Sequence, residues 1–224
     1  MANLTQLKML EDLNAILLVD KPEGIAFSSV VKTVKRKFNL VKVGHGGSLD
    51  TSASGLMVLL INDANKFVDR VMAADRAYSG TLKFGEVTDT GDKFGRPAAL
   101  PERVMPLSEA KGDQFQVEPR YCAIKKDGAS EYEIVDTGEH AQFLSHVYKV
   151  KVEGEGEERT FELTASKNFI PRALAIDLGA TLISLRREKI GKFDVAEAVP
   201  FAKLLEAEMK DFAGFVMPLS RALA

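Results

Sequence analysis

Six consecutive apolar residues, Leu56-Met57-Val58-Leu59-Leu60-Ile61, leave the chain no face to show to water, so this segment belongs in the core as a strand or helix. It is entered from a stretch of small residues, Gly44-His45-Gly46-Gly47-Ser48-Leu49-Asp50-Thr51-Ser52-Ala53-Ser54-Gly55. Glycine at both ends lets the backbone take positive φ and come close to a ligand, while the apolar run anchors the loop. One carboxylate, Asp50, and one imidazole, His45, are thereby mounted beside a rigid element. A plainer reading is that Asp50 caps the next element, because aspartate is a preferred turn and N-cap residue.

The surroundings of the loop are basic. No acidic residue occurs between Gly24 and Leu49, whereas Lys32, Lys35, Arg36, Lys37 and Lys42 all do, with Val30, Val31, Val34 and Phe38 at helical spacing. A formal net charge of only -2 makes this a local patch, of a kind suited to a phosphate backbone. A solvated helix face is the bland alternative. The 224 residues, 46% hydrophobic and 28% charged, are ordinary for a globular protein and are expected to form one domain, 1–224. One cysteine, Cys122, excludes an internal disulfide framework, and His45, His140 and His146 lack the spacing of a metal site. No glycine loop ends in Gly-Lys-Ser/Thr and no GxGxxG opens a helix, so neither a nucleotide cofactor nor any other cofactor is expected. No apolar run approaches a bilayer span and residues 1–15 do not read as a leader, which gives the expectation of a cytoplasmic protein, with no membrane partner, acting as a monomer.

Periodicity predicts strands over 15–19, 56–61 and 77–84, and a hairpin with strands 148–152 and 160–164 around Gly154-Glu155-Gly156. Helices are predicted over 28–38, capped by Ser28 or Ser29, over 65–72, over 171–182 with Pro171 in the first turn, and over 201–212. The fold class is α+β, with flanking helices on a mixed, largely antiparallel central sheet.

Several motifs then agree in order and spacing with one known family. Leu17-Leu18-Val19-Asp20-Lys21-Pro22-Glu23-Gly24, Val43-Gly44-His45 through Leu49-Asp50 and Gly55, Asn65-Lys66-Phe67, Arg76-Ala77-Tyr78, Gly85-Glu86-Val87-Thr88-Asp89-Thr90-Gly91-Asp92, Pro119-Arg120-Tyr121 onward, and Leu185-Arg186-Arg187 lie along the chain. Over about 15–199 the sequence resembles the TruB family of tRNA pseudouridine synthases. The resemblance implies the pseudouridine synthase fold with a cleft across the sheet, and isomerisation of uridine to pseudouridine, at the T-loop uridine of tRNA (position 55) or in a similar RNA hairpin. It places the catalytic acid at Asp50. It sets His45 against the extruded nucleotide, Tyr78 on the target base, Arg172 beside the aspartate, and Leu185 and Phe169 at the substrate. Phosphate contacts are expected from Lys21, Lys66, Lys32, Lys35, Arg36 and Arg186, joined by Lys125, Lys126 and Arg187. The family's RNA-clamping insertion falls at 103–116, with 125–143 supplying the rest, and the C-terminal RNA-binding domain of many bacterial members is not expected.

One departure is local. Family members usually read Lys-Gly-Thr-Tyr-Ile-Arg where this chain reads Lys167-Asn168-Phe169-Ile170-Pro171-Arg172, so the tyrosine is replaced by Phe169 or Ile170. Phe169 serves if the tyrosine packs under the base; it does not if the tyrosine moves a proton. A catalytically weak RNA-binding or RNA-folding protein on the same scaffold is therefore the alternative function. A glycosidase-like enzyme pairing Asp50 with Asp89 or Asp92 is a further one, against which Asp89-Thr90-Gly91-Asp92 reads as a turn.

Overall fold

The computed structural model describes residues 13–117, 121–126, 129–134 and 142–223. The chain divides into two compact units: one takes the residues up to Ala74 together with those from Arg187 onward, and the other is Asp75–Arg186. No linker composition marks either boundary. One lies between Ala74 and Asp75, just ahead of a strand, and the other falls inside a strand, so neither has a stretch of Pro, Gly or Ser to betray it.

The first unit opens with strand β1 (Ala15–Lys21), helix α1 (Phe27–Lys37), and strands β2 (Val43–His45) and β3 (Ser54–Ile61). A 3-10 turn, Asn62–Phe67, leads into the short helix α2 (Val68–Met72). β1 and β3 pair antiparallel along their whole length, Leu17 opposite Leu59, and β2 lies antiparallel to the end of β3 with His45 also opposite Leu59. The unbroken apolar run in β3 reflects burial on both faces. Leu56, Val58 and Leu60 join Ile16, Leu18 and Ile190 in one cluster. Met57, Leu59 and Ile61 on the other face are equally buried. Helix α1 turns Phe27, Val30 and Val34 inward and leaves Lys32, Lys35 and Arg36 exposed. Its N-cap is Ala26, without a side-chain cap, so neither Ser28 nor Ser29 caps it and the helix begins one residue early. Cations in the last turn complement the helix dipole instead.

The second unit holds β4 (Arg76–Phe84), the two-residue strands β5 (Val87–Thr88) and β6 (Pro97–Ala98), β7 (Gly112–Val117), the hairpin β8 (Tyr121–Lys126) and β9 (Ala129–Ile134), β10 (Gln142–Glu153) and β11 (Glu158–Ala165). Helix α3 (Pro171–Asp177) comes next, and then β12 (Ala180–Ile190), whose last four residues belong to the first unit. β4, β11, β10 and β7 pair antiparallel in that order, with β10 and β11 joined by the expected hairpin. The stretch 103–116, expected as part of an insertion, ends in the sheet strand β7. The helix predicted over 171–182 stops at Asp177. Gly179 takes φ +64 and its N–H meets the Ile176 carbonyl at 2.9 Å, which ends the helix and frees Ala180 to start a strand.

The first unit resumes with β13 (Phe193–Asp194), β14 (Val199–Pro200), helix α4 (Phe201–Glu206), β15 (Val216–Pro218) and helix α5 (Leu219–Leu223). β14 is parallel to β1 and β15 antiparallel to it, so the α+β, mixed and largely antiparallel class holds. The helix predicted over 201–212 breaks at the extended Ala207, because Glu208 and Asp211 form a capping box that starts a separate 3-10 turn, Met209–Gly214. Phe38 and Phe212 stack at 4.3 Å and close this face of the unit.

Candidate functional site

In the first unit, the loop that carries Asp50 is fastened from three directions. Its entry is tied by Gly46 N–H to the Val58 carbonyl at 2.9 Å, and its tip by Gly24 N–H to the Thr51 carbonyl at 2.8 Å. The third fastening is Arg187. Its guanidinium is only 2% exposed and donates from Nε to the Leu56 carbonyl at 2.8 Å, from Nη1 to Ser48 at 2.8 Å and from Nη2 to Gly47 at 3.3 Å. A side chain at Gly55 (φ +107) would strike the Arg187 backbone, so glycine is required there on two counts. The loop runs on into the strand β3, which offers Asp50 no helix terminus to cap.

Lys21 lies within electrostatic reach of the same carboxylate. It is fully buried, and its ammonium donates to the carbonyls of Pro22 and Ile25, both at 2.9 Å. Burial draws it down from 10.5 to about 8; Asp50 opposes the fall, Arg187 adds to it and Glu23 opposes it. The phosphate role expected of Lys21 and of Arg187 is therefore corrected: both are buried, and each donates to backbone carbonyls. A half-buried Asp50 thus shares its unit with two buried cations.

His45 ends β2. Gly47 N–H donates to its Nδ1 at 3.3 Å, and the Phe27 ring meets it edge-on, with centroids 4.9 Å apart at 70°. Asn65 supports this strand: its amide donates to the carbonyls of Leu60 and Asn62 at 3.0 and 2.8 Å, and its Oδ1 lies where a side chain at Gly44 would go. Lys66 is exposed and paired with Asp63 at 2.8 Å.

In the second unit, Tyr78 and Arg76 are both 6% exposed on β4, opposite Leu163 and Ala165. Arg172 is also 6% exposed, and its Nη1 donates to the Thr90 carbonyl at 2.7 Å. That carbonyl belongs to a turn in which Asp92 Oδ1 accepts from Thr90 Oγ1 at 2.8 Å and from Phe94 N–H at 3.1 Å, while Asp89 Oδ1 accepts from Arg96 N–H at 2.8 Å. Both carboxylates are thus occupied in the turn, as its sequence predicts. Phe169 is 4% exposed and Leu185 7%; Arg186 is half-buried. Burial alone raises the Asp177 carboxyl, at the end of α3, to about 6.

The sequence profile of the TruB family pseudouridylate synthase N-terminal domain matches residues 35–169. The tRNA pseudouridine synthase B of Aromatoleum aromaticum is 35% identical over 223 residues, covering 92% of this chain and 72% of that protein. That of Opitutus terrae is 32% identical over 232 residues, covering 95% of each. The chain belongs to the TruB family.

Among solved structures, a Cbf5-Nop10-Gar1 complex superposes with a TM-score of 0.67 at 21% identity, and an H/ACA RNP bound to a substrate RNA containing 2'-deoxyuridine with 0.65 at 20%. Each match covers 96% of this chain but only 63% and 62% of the other, and it fixes the pseudouridine synthase fold. Family membership leaves two anchoring residues that motif reading did not assign. Gln116, 1% exposed, donates to the Ile170 carbonyl and accepts from Ile170 N–H, each at 2.9 Å, and so clamps the chain just before Arg172. No sequence signal pointed to it: alternation over Gln114-Phe115-Gln116-Val117 turns the apolar pair inward, whereas Phe115 and Val117 are exposed and the two glutamines buried. Asn65 is the other, and its place within Asn65-Lys66-Phe67 pointed to it without saying what it does. Among the described residues no group of three or more His, Cys, Asp or Glu is placed to hold a metal, and no helix is long and apolar enough to cross a membrane.

Proposed function

We propose that this chain is a tRNA pseudouridine synthase that isomerises the T-loop uridine, position 55, with Asp50 as its catalytic residue. The observation that carries the reading is a half-buried carboxylate on a loop fixed by a buried guanidinium, in a chain of the TruB family. The relatives' shared name, tRNA pseudouridine synthase B, supports the choice of substrate.

The reaction breaks the bond from ribose C1′ to uracil N1 and forms one from C1′ to C5, and the proton displaced from C5 ends on N1. It consumes no second reactant. Asp50 attacks or stabilises the cation-like sugar while the base turns, as carboxylates do at an anomeric carbon. A preformed loop helps because the carboxylate need not be ordered when the substrate arrives. Extruding the uridine costs a few kcal/mol, offset by stacking on Tyr78, packing against His45, Leu185 and Phe169, and phosphate contacts. Arg172 is the cation that the family resemblance assigns as the partner of the aspartate. The burial of Phe169 supports a packing role for it, whether Phe169 or Ile170 stands for the relatives' tyrosine. Lys32, Lys35 and Arg36 on one exposed helix face, with Lys66 and Arg186, hold the RNA backbone.

An unmodified tRNA transcript incubated with the protein, then probed by carbodiimide labelling, tests the reading. The wild-type protein is expected to form pseudouridine, and Asp50→Asn to bind the transcript without forming any. Isomerisation undiminished in the variant removes Asp50 from its role; RNA binding by both without isomerisation leaves an RNA-binding protein on this fold.

A further inference from the structure

We propose that Gln116 is a positioning residue for Arg172: its side-chain amide, paired with the backbone of Ile170, fixes the start of α3 and with it the aim of the guanidinium two residues on. That Arg172 serves isomerisation rests on the pseudouridine synthase reading; the clamp does not.

Strand β7 is patterned in reverse. Phe115 is 76% exposed and Val117 43%, while Gln114 and Gln116, on the opposite face, are 5% and 1% exposed. Burying an amide costs free energy unless its lost hydrogen bonds are replaced, so a glutamine so placed depends on its partners. Gln116 has two. Its Nε2 donates to the Ile170 carbonyl and its Oε1 accepts from Ile170 N–H, each at 2.9 Å, a reciprocal pair like that exchanged by opposed residues of two antiparallel strands. The buried Ser145 donates from Oγ to the same Oε1 at 3.2 Å. Both lone pairs of that oxygen are then in use, and turning the amide over would set N–H against N–H.

Ile170 is the place where such a clamp has most effect. It is the N-cap of α3, extended at φ -110 and ψ 103, and its side chain has no oxygen with which to cap the helix. Pro171 follows with φ set by its ring, and Arg172 comes next. Between a clamped residue and a rigid one, the backbone of Arg172 has little room to swing. The turn that receives its guanidinium is fitted as closely: Nη1 bonds the Thr90 carbonyl at 2.7 Å, and a side chain at Gly91 would strike the Arg172 carbonyl oxygen. Displacing a reacting group by about 1 Å can cost on the order of 100-fold in rate.

Single-turnover isomerisation of an unmodified tRNA transcript, measured beside transcript affinity and stability in urea, tests the assignment. Gln116→Met is expected to lower the rate about tenfold or more at saturating transcript and to leave Kd within about twofold. Gln114→Met removes an equally inward amide that holds the Glu109 carbonyl instead, and is expected to lose stability but keep its rate within about threefold. Equal losses of rate in the two make Gln116 a packing residue and overturn the proposal. In Gln116→Glu only the protonated carboxyl can both accept from Ile170 N–H and donate to its carbonyl, so the rate relative to wild type is expected to climb as pH falls from about 9 to about 6. A flat ratio overturns it too. In an Arg172→Lys background the further loss from Gln116→Met is expected to shrink below about threefold, and an undiminished loss reveals a route that bypasses Arg172 and overturns it. Nitrogen-15 NMR reads the clamp without RNA: the Arg172 Nε–H signal is expected to shift in Gln116→Met while that of Arg76 stays. An unmoved Arg172 signal overturns the proposal whether or not any RNA is isomerised, and Asp50→Asn reports separately on the catalytic reading.

Discussion

A lysine with no exposed surface gives up its hydration, and Lys21 recovers only part of it through two carbonyl bonds. The consequence is a pH signature of known sign. Its native pKa of about 8 lies below the ordinary 10.5, so between these values the unfolded chain still binds a proton that the native protein has released. Stability from this residue is therefore greatest above 10.5 and is lost as pH falls through 8. Urea denaturation of wild type against Lys21→Met should show the wild type gaining on the variant across that interval, on the order of 1 kcal/mol per pH unit, with no relative change below it. Arg187 is the stronger anchor. Arg187→Met leaves the carbonyls of Leu56, Ser48 and Gly47 without their donor, and a loss of about 3–5 kcal/mol is expected in the same measurement. Isomerisation should fall with it, and Arg187→Lys should restore only part of either, because an ammonium cannot span three carbonyls as a planar fork does. Residue type alone misassigned both cations to phosphate, since it does not distinguish a buried charge from an exposed one. Strand parity held the missing information for Arg187, two residues from the buried Leu185, but not for Lys21, because β1 is buried on both faces from Ala15 to Val19.

Among the elements, those read most accurately were the ones whose pattern has a single physical cause. The β3 run is apolar throughout because both faces are covered, and the hairpin of β10 and β11 is announced by Gly154 and Gly156, both at positive φ. Boundaries set by backbone chemistry were harder to read. Over 171–182 the apolar content suits a helix or a strand equally, and only the left-handed Gly179 decides where one becomes the other. The contact of β2 with the turn at Asn65 was not legible at all, since it depends on two segments about twenty residues apart. It is testable as a pair. Gly44→Ala pushes a methyl onto Asn65 Oδ1 and should cost about 1–3 kcal/mol, and Asn65→Ala gives up two hydrogen bonds at about 1 kcal/mol each. The double variant should be more stable than the sum of the two losses predicts, by roughly 1 kcal/mol or more. Strict additivity in chemical denaturation would show that the close approach is not felt.

Over the whole molecule, a formal charge of -2 conceals a segment of twenty-six residues without one acid, from which Lys32, Lys35 and Arg36 emerge side by side. Removing all three should weaken binding of a tRNA transcript and flatten the dependence of log Kd on log salt by about 1 for each phosphate left without its cation. An unchanged slope would move the RNA to another face. Lys125 and Lys126, also expected on phosphates, have side chains outside the described residues, as does His140. The division into two units was not legible, because the chain passes between them in mid-strand at β12 rather than through a linker. The guanidinium beneath the Asp50 loop has one more effect. Arginine keeps its protons over the full range of acidity in which a protein stays folded, so all three bonds from Arg187 persist from mildly acid to strongly alkaline solution. An alkaline decline in turnover would then trace to Lys21, the uracil or the nucleic acid, and not to slackening of the frame that holds the carboxylate.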